Sequence, residues 1–537
     1  MKKQIYILAA FMICGIALAS CSDKDNDDNT NIVNNPDPAN VETESTPSLP
    51  QSYTLTIKAT KGSDVSLSKA LALDGSTLNA AWESGETVKV YNGGNLIGTL
   101  TAQSNGTTTT LSGDNLTPAP TAGDELALRF NAKNYKSQDG TLEYISQNCD
   151  YATATVTVKE VTADGKITIN ETSADFVNQQ AIVKFTLKSG DANVMATSLQ
   201  VNDYTITPSS ARNVYYVAIP AVKKIKLIAN DGTDTYTFYK ADANFANGKY
   251  YAINVNNLEK VMPIADGAVL TGTLGDIFDL PPIASGATVT LNAAKIKSAI
   301  TCEGNATIIL EGKNSINGPS SLPSIYIPKG ATLTIDGTGK LSAASIGGGE
   351  GMSCGNIIIN GGEITVQSYE NQGSAGIGSG KNASCGDITI NGGTINATGS
   401  WYCAGIGSGY DGSQCGNITI NGGDITATGG INKDKVKAGG AGIGSGGLGS
   451  RCGDITINGG IVNAIGGDGY TRNGNFNGGA GIGSGGDHSS CGNITITKDV
   501  TQVTAQKGNI CNNSIGSGGG STCGSITIEE GANVIQK

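Results

Sequence analysis

The sequence has few of the basic side chains that nucleic-acid and zinc sites require. Its 537 residues include four arginines and one histidine, His488, and the formal net charge is −11. Binding to nucleic acid needs clustered basic side chains that neutralise phosphates, so this composition argues against such a partner. The cysteines form no Cys-x-x-Cys pair that could join the single histidine, which argues against zinc.

Long apolar runs and helical periodicity are also missing. The apolar stretch from Ile5 to Ala19 follows two lysines and is too short to span a bilayer, so it predicts a secretory signal. It leads into Leu18-Ala19-Ser20-Cys21, which resembles the lipobox of bacterial lipoproteins, whose cysteine becomes the diacylated N-terminus. We therefore expect residues 1–20 to be a lipoprotein signal peptide and Cys21 to anchor the chain in outer-membrane lipid. An ordinary signal peptide is the alternative.

A polar, acidic segment follows this cysteine. Residues 22–51 contain seven acidic side chains and one lysine, with little to bury, so residues 21–50 are predicted to be a disordered tether. A serine directly after the lipidated cysteine, here Ser22, resembles the pattern of lipoproteins sent to the outer membrane. The acidic run after it resembles surface-export signals of some Gram-negative anaerobes. We expect the protein to be exposed at the cell surface. The alternative is a solvated tether without a sorting role.

Residues 51–258 show short runs of alternating apolar and polar residues, such as YTLTIKA and ATATVTV, separated by Asn-Gly, Asp-Gly and Ser-Gly turns. This pattern is typical of β-sandwiches, and the length predicts two in tandem. Five segments carry a resemblance to the fimbrillin-like (Mfa-like) surface lipoproteins: Ala81–Glu86, Asp150–Ala154, Phe176–Ala181, Asn213–Pro220 and Asn247–Tyr251. The resemblance implies two sandwich domains in a pilus subunit or a stand-alone adhesin.

One feature departs from the polymerising members of that family. The resemblance implies that polymerising members mature by cleavage after an arginine near the first strand, which exposes a groove for a donor strand from the next subunit. This chain has no arginine before Arg129. We therefore expect a tip or solitary role in preference to self-polymerisation.

A glycine-rich phrase recurs six times from about residue 345 to the end. Each copy places a glycine-flanked isoleucine eight or nine residues before a Cys-Gly pair, and successive cysteines are 30 to 39 residues apart. The isoleucines are Ile346, Ile377, Ile406, Ile443, Ile482 and Ile515. The cysteines are Cys354, Cys385, Cys415, Cys452, Cys491 and Cys523.

Each copy contains three short alternating runs separated by glycines, which predicts one coil of a parallel β-helix. Residues 265–537 are therefore predicted to form a right-handed parallel β-helix, similar to pectate-lyase-like and carbohydrate-binding repeats. Stacked coils would align equivalent isoleucines and cysteines in structural ladders. The predicted fold class is all-β, with two tandem β-sandwich domains followed by a β-helix solenoid.

Neighbouring cysteines of such a ladder have nearly parallel Cβ vectors, which is poor geometry for a disulfide. We expect packed, reduced thiols, with disulfides as the alternative. The residues after each Cys-Gly pair alternate between aspartate (Asp387, Asp454) and asparagine (Asn356, Asn417, Asn493). This mixture favours a hydrogen-bonded ladder over a calcium site, so no cofactor is predicted and calcium remains the alternative.

The repeats also lack catalytic and nucleotide-binding patterns. Gly444, Gly446 and Gly449 match the spacing of a phosphate-binding loop, but no helix follows them. Glycosidic hydrolysis needs two convergent carboxylates, and Thr394 separates Glu363 from Asp424 in the predicted ladder. A non-catalytic protein is therefore expected, and a polysaccharide lyase or hydrolase is the second alternative.

A ligand-binding strip is the remaining hypothesis. If Ile406 points inward, the glycines beside it would point outward and form a flat floor next to loops of variable length. Aromatic and basic side chains of these loops are predicted to bind ligand: Tyr369, Trp401, Tyr402, Tyr470, Arg472 and Phe476 at one corner, with Tyr410 and His488 at the other. Ordinary solvated loops are the alternative.

Together these features predict a lipid-anchored cell-surface adhesin or carbohydrate-binding protein. Its expected partners are outer-membrane lipid, glycans or surface proteins, and fimbrial subunits. A structural or tip component of a fimbrial assembly is the first alternative.

Overall fold

The computed structural model describes residues 52–61, 72–74, 77–79, 81–131, 134–370, 372–430, 438–469 and 478–537. The predicted signal peptide, Cys21 and the acidic tether lie outside these ranges. The described residues form 49 strands and one short helix, so the fold is all-β. None of the helices in these ranges is long and apolar enough to cross a membrane.

The first unit contains ten strands and the helix. These are β1 (Tyr53–Lys61), β2 (Ala72–Asp74), β3 (Thr77–Asn79), β4 (Thr87–Asn92), β5 (Asn95–Ala102), β6 (Thr108–Leu116), β7 (Glu125–Phe130), α1 (Leu142–Asn148), β8 (Ala152–Val161), β9 (Lys166–Ile169) and β10 (Ala174–Asn178). Eight of them form one sheet in the order β10-β1-β6-β5-β4-β7-β8-β9, and the further pairings β10–β8 and β1–β9 close it on itself. The first unit therefore differs from the two-sheet sandwich that the sequence predicts: its main sheet closes on itself, which leaves fewer unpaired strand edges.

The alternation of apolar residues explains why this sheet encloses a core. Along β1 every second residue is buried, from Tyr53 to Lys61, because successive side chains of a strand point to opposite faces. The buried face packs around Trp82, which makes edge-to-face contacts with Phe130 and Phe176.

The second unit contains nine strands: β11 (Ala181–Ser189), β12 (Ala192–Asn193), β13 (Ser198–Val201), β14 (Tyr204–Ile206), β15 (Val214–Ile219), β16 (Ile225–Asn230), β17 (Thr235–Lys240), β18 (Tyr250–Val255) and β19 (Glu259–Lys260). They form two sheets, one of β12-β11-β15 with β18 beside β11, the other of β14-β13-β16-β17-β19. Both sheets contribute to one hydrophobic cluster.

The first two units are in contact. Ile145 of α1, whose first turn is capped by the Thr141 hydroxyl, packs with Ile182 and Ala218 of the second unit. The buried Gln138 side chain also donates to the Ala218 carbonyl (2.9 Å) and accepts from its N–H (2.8 Å).

The third unit is a parallel β-helix. Its main sheet contains β20 (Val269–Leu274), β21 (Thr288–Ile296), β23 (Ala306–Glu311), β24 (Lys313–Ile316), β26 (Thr332–Gly337), β27 (Lys340–Ala343), β29 (Asn356–Ile359), β30 (Glu363–Gln367), β32 (Ile388–Ile390), β33 (Thr394–Thr398), β36 (Ile418–Ile420), β37 (Asp424–Thr428), β40 (Ile455–Ile457), β41 (Ile461–Ile465), β44 (Ile494–Ile496), β45 (Gln502–Gln506), β48 (Ile526–Ile528) and β49 (Val534–Gln536).

Two shorter parallel sheets complete the coils. The first contains β22 (Ile300–Thr301), β25 (Ile325–Tyr326), β28 (Ile346–Gly347), β31 (Ile377–Gly378), β34 (Ile406–Gly407), β38 (Ile443–Gly444), β42 (Ile482–Gly483) and β46 (Ile515–Gly516). The second contains β35 (Gln414–Cys415), β39 (Arg451–Cys452), β43 (Ser490–Cys491) and β47 (Thr522–Cys523).

Equivalent isoleucines of successive coils face each other in register. Ile346, Ile377, Ile406, Ile443, Ile482 and Ile515 form one such column. All six are at most 5% exposed and belong to one cluster that runs through the solenoid. Burial of each isoleucine side chain contributes about 1.5–3 kcal/mol to stability. A single coil could not bury these side chains, so the coils are stable only when stacked.

Candidate functional site

The glycines of the recurring phrase lie inside the solenoid. Residues 402–409 are all buried, and a Cβ on Gly405 would lie 2.6 Å from the backbone nitrogen of Thr428. The prediction that Gly405, Gly407 and Gly409 form an exposed floor is therefore wrong. The segments that connect the strands of successive coils pack backbone to backbone beside these glycines. For example, Gly430 N–H donates to the Cys403 carbonyl (2.9 Å).

The serine of the same phrase links one coil to the next. The hydroxyl of Ser379 accepts from Gly409 N–H (3.1 Å), and that of Ser408 accepts from Gly446 N–H (3.0 Å). Ser445 and Ser484 repeat this contact one and two coils later. The phrase is thus explained by packing, because each serine satisfies a buried backbone donor.

The asparagine and aspartate residues that follow the cysteines form a second ladder. Asn356 Oδ1 accepts from Asp387 N–H (2.9 Å), and Asp387 Oδ1 accepts from Asn417 N–H (2.7 Å). The same bond continues through Asp454 to Asn493. Aspartate and asparagine are equivalent here because only an acceptor oxygen is needed. In the described ranges no three potential metal-ligating side chains come together.

The cysteine column contains free thiols and one disulfide. Hydrogen bonds with Cys354 and Cys415, together with burial, raise the pKa of Cys385 well above its usual value. Cys491 and Cys523, on the last two coils, form a disulfide with a Cα–Cα distance of 4.7 Å. The expectation of a wholly reduced stack is wrong at this pair, since the spacing between coils falls within the range that a disulfide accepts.

Tyr402 and Tyr410 lie in one cluster and not at separate corners as predicted. Their ring centroids are 5.3 Å apart with the planes inclined by 69°. Tyr402 is buried with φ of +65°, whereas Tyr410 is half-buried.

A cation and its partner lie next to this ring pair. Lys381 Nζ is 5.5 Å from the centroid of Tyr410 and 3.0 Å from Oε1 of Glu350. The bond to Glu350 raises the pKa of Lys381, and burial raises that of Tyr410. At neutral pH the pair is therefore a charged lysine beside a neutral phenol.

A polar depression of about 370 Å³ is lined by Asn382 and Asp411, the residues that follow Lys381 and Tyr410 in the chain. Its lining offers hydroxyl, amide and carboxylate groups, from Ser353, Asn382, Ala383, Ser384, Asp411, Gly412 and Gln414. We call these residues, with Lys381 and Tyr410, the corner site. Sequence reasoning found only Tyr410 of this set. The residues at equivalent positions of other repeats differ, for example Gly447 and Gly486 in place of Tyr410 and Leu448 in place of Asp411, and this variability is the signal that the sequence offers.

The other predicted binding residues are distributed along one connection. Tyr369 is 40% exposed and Trp401 is half-buried. The register Gln367↔Thr398 places both in the same connection of consecutive coils. Tyr470, Arg472 and Phe476 lie outside the described residues. His488 is exposed, near Asp487.

The carboxylates considered for catalysis are separated or paired. Glu363 forms an ion pair with Lys340 on the solvent face of the main sheet. Thr394 lies between Glu363 and Asp424 in the strand register, so these carboxylates do not converge on one point.

The two parts of the chain are similar to different known proteins. Residues 357–381, 388–410 and 418–447 match the family described as beta helix repeat. No match was found among curated proteins. The N-terminal part is structurally similar to fimbrial and adhesion proteins.

Three of these structures illustrate the extent of the similarity. A fimbrial protein from Bacteroides ovatus is 10% identical, with 40% of this chain and 50% of that chain covered and a TM-score of 0.23. A fimbrial assembly protein from Parabacteroides distasonis is 10% identical over 40% of this chain and 95% of that chain, with a TM-score of 0.23. The C-terminally truncated tip fimbrial protein Mfa3 from Porphyromonas gingivalis is 11% identical over 41% and 84%, with a TM-score of 0.18. This chain thus spans half the length of the first and most of the other two.

Proposed function

We propose that this chain is a lipid-anchored, non-catalytic protein of the cell surface that binds carbohydrate at the corner site of its β-helix. The observation that carries the proposal is the half-buried Tyr410 ring beside Lys381 and a depression lined by hydroxyl, amide and carboxylate groups. An aromatic side chain whose chain neighbour lines a depression with several hydrogen-bonding groups suits a sugar, which has an apolar face and a rim of hydroxyls.

Tyr369 and Trp401 extend this surface in the proposal. They lie on one connection of consecutive coils, so a polymer running along the solenoid would meet both rings. In the sequence, Tyr470, Arg472 and Phe476 follow in the corresponding segment of one later repeat. Tyr402 is buried, and its role is to support Tyr410.

A glycan array with the full chain tests this proposal. We expect binding to be lost in the double variant Asp411→Ala with Gln414→Ala. The matched control is Asp487→Ala with Ser490→Ala, which changes the equivalent positions two coils later. Trp401→Ala with Tyr369→Ala is expected to weaken binding to polymers more than to short oligosaccharides. Equal binding by the wild type and the first double variant would reject the corner site.

Anchoring and exposure are tested separately. Cys21→Ser is expected to release the protein from the membrane fraction, and protease added to intact cells is expected to remove the wild-type protein. Survival on intact cells with cleavage after lysis would contradict surface exposure. Co-purification with fimbrial subunits in place of glycan binding would favour a fimbrial role.

A further inference from the structure

A lysine is completely buried in the core of the first unit. Lys61, the last residue of β1, continues the core-facing alternation of that strand. Its Nζ lies 2.8 Å from Oδ2 of Asp150 and 3.7 Å from Oε2 of Glu86. The side chains of Lys61 and Asp150 are 0% and 1% exposed, and that of Glu86 is 18% exposed.

Aromatic rings enclose this cluster. Lys61 Nζ is 3.4 Å from the ring centroid of Phe130 and 5.0 Å from that of Trp82. Phe176 packs edge-to-face against Trp82. Such a shell excludes water, so the two opposite charges lose their hydration and the neutral amine and carboxylic acid become more favourable by comparison.

The pKa values of the two carboxyl groups are shifted toward the neutral, protonated form. Burial raises the pKa of Asp150, although Lys61 opposes the change. Burial also raises the pKa of Glu86, again against the effect of Lys61. A protonated carboxyl is the form that can lose a hydroxyl group as water.

We infer that Lys61 and Asp150 condense to an intramolecular amide bond, with Glu86 as the group that transfers protons between them. A proton first passes from the lysine ammonium to the Asp150 carboxylate. The neutral amine then forms a bond from Nζ to Cγ of Asp150, and the C–O bond of the carboxyl breaks. Glu86 accepts one proton from the nitrogen and returns one to the departing hydroxyl. One water molecule leaves, and no oxidant or cofactor is consumed.

Two features of the fold favour this reaction. The fold holds the amine of Lys61 and the carboxyl of Asp150 within hydrogen-bond distance, 2.8 Å, which replaces a bimolecular encounter by an intramolecular one. A depression of about 410 Å³ lined by Glu86, Phe130, Asn131 and Ser146 borders the cluster and gives the released water a path to solvent. The ion pair Lys260–Asp234 has a similar separation, 2.6 Å, but is exposed at the surface and provides an internal comparison.

Peptide mapping of the full wild-type chain tests the inference. Trypsin does not cleave after an acylated lysine, so we expect residues 59–69 to remain joined to residues 137–159 as one branched peptide, lighter by one water than the sum of the two. Cleavage after Lys260 is expected to be complete. Complete cleavage after Lys61 of folded protein, with residues 59–61, 62–69 and 137–159 recovered as three separate linear peptides, would overturn the cross-link.

Variants test the role of each group. Lys61→Arg keeps the charge but cannot form the amide, so the branched peptide is expected to disappear. Glu86→Gln is expected to slow cross-linking by at least tenfold in protein whose circular dichroism matches the wild type. Cross-linking of this variant at the wild-type rate would overturn the role of Glu86 as the proton-transfer group.

Discussion

Gly407 and Gly444 face each other on consecutive coils, so closely that a Cβ on Gly407 would lie 1.8 Å from the Gly444 carbonyl oxygen. Gly407 also has φ of +136°, a conformation that favours glycine. Gly378 and Gly483 show both features on neighbouring coils. The column therefore requires glycine for close backbone approach as well as for conformation.

We predict that Gly407→Ala lowers the free energy of unfolding of the β-helix by more than about 3 kcal/mol, because backbone atoms cannot move aside. The control is Gly412→Ala, where φ is +75° but no atom lies within 4 Å of the added Cβ. Conformational strain alone predicts a loss of about 1–2 kcal/mol there. Urea unfolding followed by circular dichroism measures both, and equal losses would contradict the packing argument.

The isoleucine columns predict that substitutions on the two faces of the main sheet differ in their effect on stability. Ile425 is fully buried, whereas Ile461 on the opposite face of the same sheet is 43% exposed. Ile425→Ala is expected to cost about 2–5 kcal/mol through lost burial and the cavity left behind. Ile461→Thr restores the residue type found at Thr394 and is expected to change stability by less than about 0.5 kcal/mol. A smaller effect at Ile425 than at Ile461 would contradict the assigned core face.

A chain of asparagine amides along the surface predicts a smaller effect. Asn421 Nδ2 donates to Asn391 Oδ1 (2.8 Å), and Asn421 Oδ1 accepts from Asn458 Nδ2 (2.9 Å). Asn421→Ala removes both bonds and is expected to cost about 1–2 kcal/mol. Asn396→Ala, at an exposed position of the same face, is the control, with an expected change below about 0.5 kcal/mol. Hydrogen exchange of the flanking strands reports the difference locally.

Thiol reactivity is predicted to depend on folding. Burial raises the pKa of Cys149, Cys302 and Cys403 to about 12, so at neutral pH almost none of each thiol is present as the reactive thiolate. Iodoacetamide should leave these cysteines unmodified in folded protein, and should label them more as the pH approaches 12 or when urea unfolds the chain. Cys491 and Cys523 should be labelled only after reduction. Mass spectrometry counts the adducts, and rapid labelling of Cys403 at neutral pH would contradict its burial.

The repeat pattern predicts much of the β-helix because strand alternation fixes which face each side chain occupies. Alternation alone predicts that Ile406 and Ile418 are buried, and the structure confirms this. Alternation does not reveal which connection folds back over a strand. It therefore predicts that the glycines beside Ile406 face solvent, whereas they pack against neighbouring backbone. For the same reason it does not predict the contact between Tyr402 and Tyr410. In the first unit, Lys61 stood at a core position of β1 in the sequence, but only the three-dimensional fold brings Asp150 and Glu86 to it.

The position of β1 has a mechanical consequence. It is the first described strand after the N-terminal segment, and it is paired on both edges, with β6 on one side and with β10 and β9 on the other. Tension applied through the N-terminus would load these pairings lengthwise and in parallel, so that many bonds must fail together before the strand can slide. A covalent link at Lys61 would stop the extension at that residue and pass the remaining force to the strand that begins after Asp150.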